Sequence, residues 1–321
     1  MQIDPRIQAL CGNPSAQRRA QARVEAAREG WLTSAPVAAA LAELSAYGSG
    51  ESFDEDGCLA AALSSLDKAR NLVEPLVAAM AVALREEPLA HVPFRHQKNG
   101  GTSIMQLANR GRAALVLLTY DESCGQASET ATFSDVERRE IVLGGAADLL
   151  VARVVREWPD RAAMDLQPRR IEAGDALALT SLQARLQQRV HGRMTVLRVA
   201  RTPVSPGASR VFRLDDGRLV HRASGERRES QREMAMALLG RMGRADAAPA
   251  LARQARAGSE HIRWQALREC LALDTAIGFT ELVRIAGDPA DPLASAAQAL
   301  HAQLTETYPQ LAAKEAELCR A

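Results

Sequence analysis

The chain has 321 residues, of which 47% are hydrophobic and 25% are charged, and its formal net charge is +1. This composition excludes a disordered chain and predicts two or three globular domains. The near-neutral charge offers no global attraction to nucleic acid or to an anionic membrane surface, so neither is favoured as a partner.

The cysteines and the N-terminal residues indicate the compartment. The five cysteines are widely spaced and form no CxxC pair or His/Cys ligand cluster, which argues against a disulfide framework and a zinc finger. Residues 1–20 carry several charges and lack the apolar core of a signal peptide. No stretch of the chain is long and apolar enough to predict a membrane span. We therefore expect a soluble, cytoplasmic protein that is not exported.

Residues 1–87 are predicted to form a helical N-terminal region. Good helix formers fill residues 15–29, and Gly30 stands where a helix would stop. Pro36 suits the first turn of a second, shorter helix. Apolar residues recur at helical spacing over residues 58–87, which predicts one long helix or two shorter ones.

Residues 88–225 are predicted to form an antiparallel β domain. Short segments rich in strand-forming residues alternate with turns that contain Gly, Asp and Pro, and they amount to about eight or nine strands. They include residues 101–107, 112–120, 139–143, 148–155 and 176–180. Residues 112–120 are almost continuously apolar, so this strand is expected to lie inside the domain. Asp216-Gly217 lies between apolar residues and predicts a hairpin with a tight type I′ turn.

Residues 226–321 return to helical patterns, and these patterns repeat. An Ala-Leu pair occupies matching places in three predicted helices, at spacings of 29 and 33 residues: Ala237-Leu238, Ala266-Leu267 and Ala299-Leu300. Short helices with one apolar face are not stable alone, so they are expected to stack. The pattern resembles HEAT repeats over about residues 228–308. This resemblance implies a stack of helical hairpins whose surface docks a partner protein.

The turn Glu172-Ala173-Gly174-Asp175 leads into the strand pattern ALALT. Together with the many short strands, this turn resembles the cupin family, in which a Gly-Asp turn precedes a strand of the second motif. The resemblance implies a double-stranded β-helix closed into a barrel, which can hold a small ligand and, in metal-binding cupins, a metal ion. The sequence departs from the family because it has no HxH pair. The resemblance therefore implies either a degenerate barrel or a different ligand set.

Three histidines are the candidate metal ligands: His91, His96 and His191. Neutral imidazoles that converge inside a barrel would suit iron, zinc, copper or nickel. The alternative is that they are solvated or hydrogen-bonded histidines, since the first two flank a proline at the edge of the domain. Both interpretations stay open, so the expected cofactor is either none or one divalent metal ion.

The segment 201–232 is rich in arginine, with eight arginines against four acidic residues. Four of these arginines are the candidate site for an acidic partner or another anion: Arg210, Arg213, Arg218 and Arg222. The alternative is a solvated hairpin face with local ion pairs. Phe212 alone interleaves as an aromatic, which offers little for stacking on bases.

No catalytic motif in the sequence is specific enough to name a reaction. Our leading hypothesis is a non-catalytic or regulatory binding protein, in which the barrel holds a small ligand and the helical repeats dock a partner protein. The alternative hypothesis is a metal-dependent cupin-type enzyme, either a dioxygenase or an isomerase, that uses the three histidines. A third hypothesis makes the β domain a dimerisation module, which predicts a homodimer.

Overall fold

The computed structural model describes residues 14–124 and 128–311. The chain forms two compact units, Met1–Arg222 and Ala223–Ala321. We call them the sheet unit and the helical unit. None of the helices in the described ranges is long and apolar enough to cross a membrane.

The sheet unit begins with four helices: α1 (Pro14–Leu32), α2 (Ala35–Ser49), α3 (Cys58–Ser64) and α4 (Leu66–Glu86). The first helix continues past the predicted stop at Gly30, because Trp31 is buried and its indole N–H donates to the backbone oxygen of Leu72 at 2.8 Å. Pro36 lies in the first turn of α2, where its missing N–H costs no hydrogen bond. The apolar run over residues 58–87 forms two helices rather than one.

The strands follow, and they are long in the middle of the unit. Their bounds are β1 (Arg95–Asn99), β2 (Thr102–Arg110), β3 (Ala113–Asp121), β4 (Thr130–Phe133), β5 (Glu137–Glu157), β6 (Ala162–Glu172), β7 (Ala176–Leu179), β8 (Gln183–Arg201), β9 (Ser209–Arg213) and β10 (Leu219–Ala223). All the described pairings are antiparallel, as expected. Seven strands form one sheet in the order β1-β2-β3-β8-β5-β6, with β7 also paired to β5, and β10-β9-β4 form a second sheet.

Strands β5 and β8 each take part in two halves of the large sheet. The first residues of β5 pair with β7 and with the end of β8, whereas its later residues pair with β6 and with the start of β8. The register shifts on either side of Gly144, and Gly145 has a φ of 83°. A bulge of this kind bends a strand, so one strand can leave one half of the sheet and enter the other.

The expected closed barrel is not found among the described residues. The hydrogen-bonded path runs from β1 to β6, and these two end strands do not pair with each other. The bends in β5 and β8 fold the sheet over on itself, and the short strand β4 pairs with β9 in the separate sheet. The sheet therefore encloses its interior by bending, while its edges stay open.

The two faces of the large sheet lie in different surroundings. One face carries Ile141, Leu197 and Val199, which form one core cluster with the helices α1–α4. The residues next to them along the strands, Val142 and Val196, belong to a second cluster on the opposite face. Because neighbouring side chains of a strand point to opposite faces, this second face is the interior of the bent sheet.

The small sheet packs on one half of the large one. Phe133 of β4 and Phe212 of β9 share a cluster with alanines of β5 and β8, and their rings meet edge to face at 5.9 Å. The predicted hairpin at Asp216-Gly217 is present, but its turn is not type I′, because no described residue other than glycine has a positive φ. Of the two turn residues, only Gly217 takes the left-handed conformation, with a φ of 70°.

The helical unit contains α5 (Arg227–Arg241), α6 (Ala248–Gln254), α7 (Glu260–Leu273), α8 (Thr275–Ala286) and α9 (Ala294–Thr307). A single core cluster holds these helices together, with Phe279, Leu282 and Ile285 fully buried. Asp274 caps α8, because its carboxylate accepts the backbone N–H groups of Ala276 and Ile277.

The HEAT-like stack is not confirmed. In a true repeat, the three matching leucines would be buried alike. Leu267 is fully buried, whereas the Leu238 side chain is 58% exposed and Met236 is the buried residue of its helix. The helix containing Leu238 therefore presents a different face to the core, and the aligned Ala-Leu pairs are not structurally equivalent.

Candidate functional site

Glu140 is a carboxylate buried in the interior of the sheet unit. It lies on β5 directly opposite Arg198 of β8, and its side chain is 2% exposed. Arg198 donates from Nε to Oε1 at 2.6 Å, and Arg185 donates from Nη1 to Oε2. Two guanidinium groups thus hold this carboxylate in one position from two directions.

Tyr120 of β3 completes a hydrogen-bonded network with the same two arginines. Its hydroxyl oxygen accepts one hydrogen bond from Nη2 of Arg185 and another, at 3.3 Å, from Nη2 of Arg198. The guanidinium of Arg185 also lies 5.1 Å from the centre of the phenol ring. Since the oxygen already accepts twice, the O–H hydrogen is left to donate, and it has no acceptor within the described parts of the chain.

The network carries more positive than negative charge. Burial lowers the pKa of Arg138, and the neighbouring guanidinium of Arg198 lowers it further. Burial acts to raise the pKa of Glu140, but Arg185 and Arg198 outweigh it and hold that pKa below its usual value. Three guanidinium groups and one carboxylate leave a formal excess of two positive charges, because arginine keeps its proton in proteins.

Two buried donors and one buried acceptor in this region lack a hydrogen-bond partner among the described residues. The Nε–H of Arg138 and both polar atoms of the Gln187 amide are buried without a hydrogen-bond partner. Gln187 lies opposite Leu149 in the sheet, and Leu149 belongs to the interior cluster, so the amide faces inward. Buried polar groups are nearly always paired, so orphaned donors indicate a missing acceptor.

A small, partly open cavity lies between β5, β6 and β7, and no member of the network is among the residues that line it. Its volume is about 290 Å³, and it is lined by Val151, Gln167, Arg169, Gln183 and the strand β7. Val151 is the direct register partner of Arg185, so the cavity adjoins the strand pair that carries this arginine. The lining adds a fourth guanidinium and two amides to the donors already near the interior.

The three predicted histidines are not brought together as a metal site. His91 is exposed ahead of β1, and His96 on β1 is exposed with Nδ1 3.1 Å from the backbone oxygen of Phe94. His191 on β8 has Nε2 2.9 Å from Oδ2 of Asp148. Within residues 14–124 and 128–311, no group of three or more His, Cys, Asp or Glu side chains could hold a metal ion.

The four predicted arginines divide into two pairs. Arg210 is paired with Glu157, and Arg213 is paired with Asp215 in the same hairpin. Arg218 and Arg222 are exposed and form no ion pair with a described carboxylate. Residue 218 also forms a β-bridge with Arg161, which brings a further arginine to this surface.

The sequence analysis does not predict the interior network around Glu140, although the spacing of two of its charged residues is a weak indication of it. Arg138 and Glu140 are two residues apart in the charged run Glu137-Arg138-Arg139-Glu140 at the start of β5, so they share one face of the strand. Charges at alternate strand positions usually face solvent. The register alone shows that these positions point into the bent sheet.

The comparisons with known proteins find matches among solved structures. No family model matches the chain, and no curated protein matches it. Some solved structures resemble part of it. HutD from Pseudomonas fluorescens SBW25 is 17% identical, covers 35% of this chain and 58% of its own, and has a TM-score of 0.25.

Two further neighbours are cupin proteins by name. A sugar phosphate isomerase of the cupin superfamily from Silicibacter pomeroyi is 12% identical over 38% of this chain and 78% of its own, with a TM-score of 0.26. The cupin domain of CENP-C from Drosophila melanogaster is 10% identical over 33% of this chain and 74% of its own, with a TM-score of 0.27. The first of these two neighbours is named as an enzyme, and the second is not. Their TM-scores are too low to carry an argument about this chain.

Proposed function

We propose that the sheet unit is a cupin-like double-stranded β-helix that binds a small anionic ligand without catalysing its conversion. The strand register supports the fold. On one half the order is β3-β8-β5-β7, on the other half β8-β5-β6, and β5 and β8 pass through both. Two antiparallel halves that share bent strands are the arrangement of jelly rolls and cupins.

The excess of buried positive charge is the observation that carries the anion proposal. The Arg185 and Glu140 side chains are only 5% and 2% exposed, and that of Arg198 is 19% exposed. An uncompensated charge at such depth costs several kcal/mol. A bound anion would offset this cost and accept the hydrogen bonds that Tyr120 and Arg138 leave unused.

The network suits binding rather than reaction. Its one carboxylate is held by two guanidinium groups, so it is not free to act as a base. Its other members are arginines and a tyrosine, which fix an anion by charge and by directed N–H and O–H donors. This set of side chains supports the proposal of a non-catalytic role.

A cavity of this size would hold only a small ligand. A volume of about 290 Å³ lies at the lower end of ligand pockets, which span roughly 300–1,000 Å³. The ligand class is therefore a molecule of few heavy atoms that carries a carboxylate or a phosphate group. The planar fork of arginine matches both groups.

Titration calorimetry tests the proposal. The full chain is titrated at constant ionic strength with acetate, succinate, glutamate and inorganic phosphate. At least one of them is expected to bind with 1:1 stoichiometry, while chloride gives no heat beyond dilution. Tyr120→Phe removes the unused O–H donor and is expected to weaken binding roughly tenfold, since a hydrogen bond to a charged group contributes about 1.5–3 kcal/mol.

Tyr47→Phe is the matched control. Tyr47 is also buried, but its O–H already donates to Glu137 at 2.6 Å, so it has nothing to offer a ligand. Its loss is expected to lower stability and leave the dissociation constant unchanged. The proposal fails if no carboxylate or phosphate binds, or if the two tyrosine variants weaken binding equally.

Partner docking by the helical unit, and dimerisation, stay predictions. The helical unit has an open groove of about 810 Å³, with Trp264, Leu271, Leu300, Leu304 and Tyr308 among its lining residues. Arg268 also lines it and has no ion pair with a described carboxylate. This groove is the apolar surface of the unit that a docking partner would cover.

A further inference from the structure

The tip of the β5–β6 hairpin carries a tryptophan flanked by two arginines. The guanidinium carbon of Arg156 lies 5.0 Å from the centre of the Trp158 ring, and that of Arg161 lies 5.2 Å from it. The tryptophan is half-buried and both arginines are exposed. Stacking on an indole restrains a guanidinium while its N–H edge stays open to solvent.

The hairpin tip is fixed against the end of the following hairpin. The backbone N–H of Trp158 donates to the Arg161 backbone oxygen at 2.8 Å, which closes the turn. The N–H of Ala162 donates to the oxygen of Gly217, and the N–H of Leu219 donates to the oxygen of Asp160. These bonds flank the β-bridge between Arg161 and Arg218, so a third guanidinium belongs to the same surface.

The acidic residues nearby are mostly paired with other arginines. Glu157 is paired with Arg210, and Asp215 is paired with Arg213. Asp160 in the hairpin loop is exposed and has no ion pair in the described ranges. Arg156, Arg161 and Arg218 likewise form no ion pair with a described carboxylate, whereas Asp216 shares Arg213 with Asp215, so these three positive charges lie beside two carboxylates, Asp160 and Asp216, that are not fully neutralised.

From this geometry we infer that Arg156 and Arg161, which stack on Trp158, form together with the adjacent Arg218 an arginine clamp that binds an acidic, Asp/Glu-rich segment of a partner protein. Restrained guanidinium forks recognise carboxylates in bidentate fashion at little cost in side-chain entropy. Nucleic acid fits less well, because binding of single strands relies on free aromatic faces for base stacking. Here the one aromatic ring is already contacted by two guanidinium groups.

The test uses a fluorescein-labelled peptide of ten glutamates and the full chain, followed by fluorescence anisotropy as a function of salt. The double variant Arg161→Gln/Arg218→Gln is expected to weaken binding by roughly a hundredfold, about a factor of ten for each of the two lost charge-assisted contacts, and to reduce the salt dependence. Arg213→Gln is the matched control on the same hairpin, because its guanidinium is already paired. It is expected to leave the dissociation constant unchanged.

Two further variants test the role of the ring and the independence of the two sites. Trp158→Leu keeps every charge and removes the ring, so it is expected to weaken binding if the ring positions the guanidinium groups. Tyr120→Phe, in the interior network, is expected to change nothing, so this site and the interior site can fail separately. An unchanged affinity in the double variant or in Trp158→Leu would overturn the inference. So would a ten-nucleotide single-stranded DNA that competes as well as the peptide.

Discussion

At the scale of single residues, Glu140 connects the stability of the sheet unit to its proposed function. Burying one carboxylate among three guanidinium groups costs free energy in desolvation, and the hydrogen bonds from Arg185 and Arg198 offset that cost. Removing the carboxylate leaves two of these guanidinium groups buried and unpaired. The loss of Glu140 should therefore lower the free energy of unfolding more than the loss of the carboxylate from an exposed ion pair.

Glu140→Gln is expected to lower the free energy of unfolding by about 3–5 kcal/mol, the usual loss when one member of a buried ion pair is removed. Urea unfolding followed by circular dichroism measures this. Glu55→Gln is the control, since Glu55 also binds an arginine, Arg139, but its side chain is 64% exposed, and its loss is expected to cost about 1 kcal/mol or less. Equal losses in the two variants would mean that burial does not govern the network.

The same residue predicts the response to acid. The pKa of Glu140 lies below its ordinary value of 4.5, because its arginines outweigh the effect of burial. A lowered folded-state pKa means that its contribution is full above the unfolded pKa and is lost as the pH falls through the folded value. Wild-type stability should therefore fall below about pH 4.5 more steeply than that of Glu140→Gln.

The candidate site is only partly predictable at this scale. His191 is a candidate in the sequence because histidines bind metals, yet its neighbour in space is Asp148, 43 residues earlier in the chain. Arg185, Arg198 and Tyr120 come from two strands far apart in sequence, and no local pattern joins them. A sequence shows the types of side chain that are present, but the register of β3, β5 and β8 decides which of them meet.

At the scale of elements, sequence patterns predict that a helix or strand is present better than they predict its length. The helical segments before residue 87 and the strands β2, β3 and β7 fall near their predicted places. The sequence predicts two strands over residues 139–143 and 148–155, because Gly144-Gly145 between them is typical of a turn. The structure has one strand there, since the two glycines form a bulge inside β5. A pair of glycines is compatible both with a turn that reverses the chain and with a bulge that only bends a strand, so the sequence pattern alone does not distinguish the two.

The bulge gives a matched pair of substitutions. Gly145 has a φ of 83°, and a Cβ there would lie 2.0 Å from the backbone oxygen of Arg193. Gly144 has open space around its Cβ position and no positive φ. Gly145→Ala is expected to cost at least about 1–2 kcal/mol from the left-handed backbone alone, with the clash in addition.

Gly144→Ala is expected to change stability by about 0.5 kcal/mol or less. Thermal unfolding of both variants measures the difference. If the two cost the same, the sheet does not depend on a left-handed residue at the bend, and β5 would have to pass through both halves without the help of this bulge.

At the scale of the whole molecule, the helices of the sheet unit and its strands share one core. Leu44 and Leu76 from the helices belong to the same cluster as Leu115 and Leu197 from the strands. The sequence predicts a domain boundary at residue 87, where the pattern changes from helical to extended. A change of pattern marks a change of element, but only contacts between distant residues decide whether two elements fold as one unit.

Leu44→Ala tests whether the boundary at residue 87 separates two cooperative units. Leu44 is fully buried on α2, and its truncation is expected to cost about 2–5 kcal/mol. If helices and sheet unfold together, amide hydrogen exchange should quicken in β3, β5 and β8 as well as in α1–α4. Phe279→Ala, in the core of the helical unit, is the control, and it should quicken exchange within residues 223–311. Faster exchange that stops at residue 87 in Leu44→Ala would instead support a separate helical domain, because a shared core transmits the loss of packing to every element that it contacts.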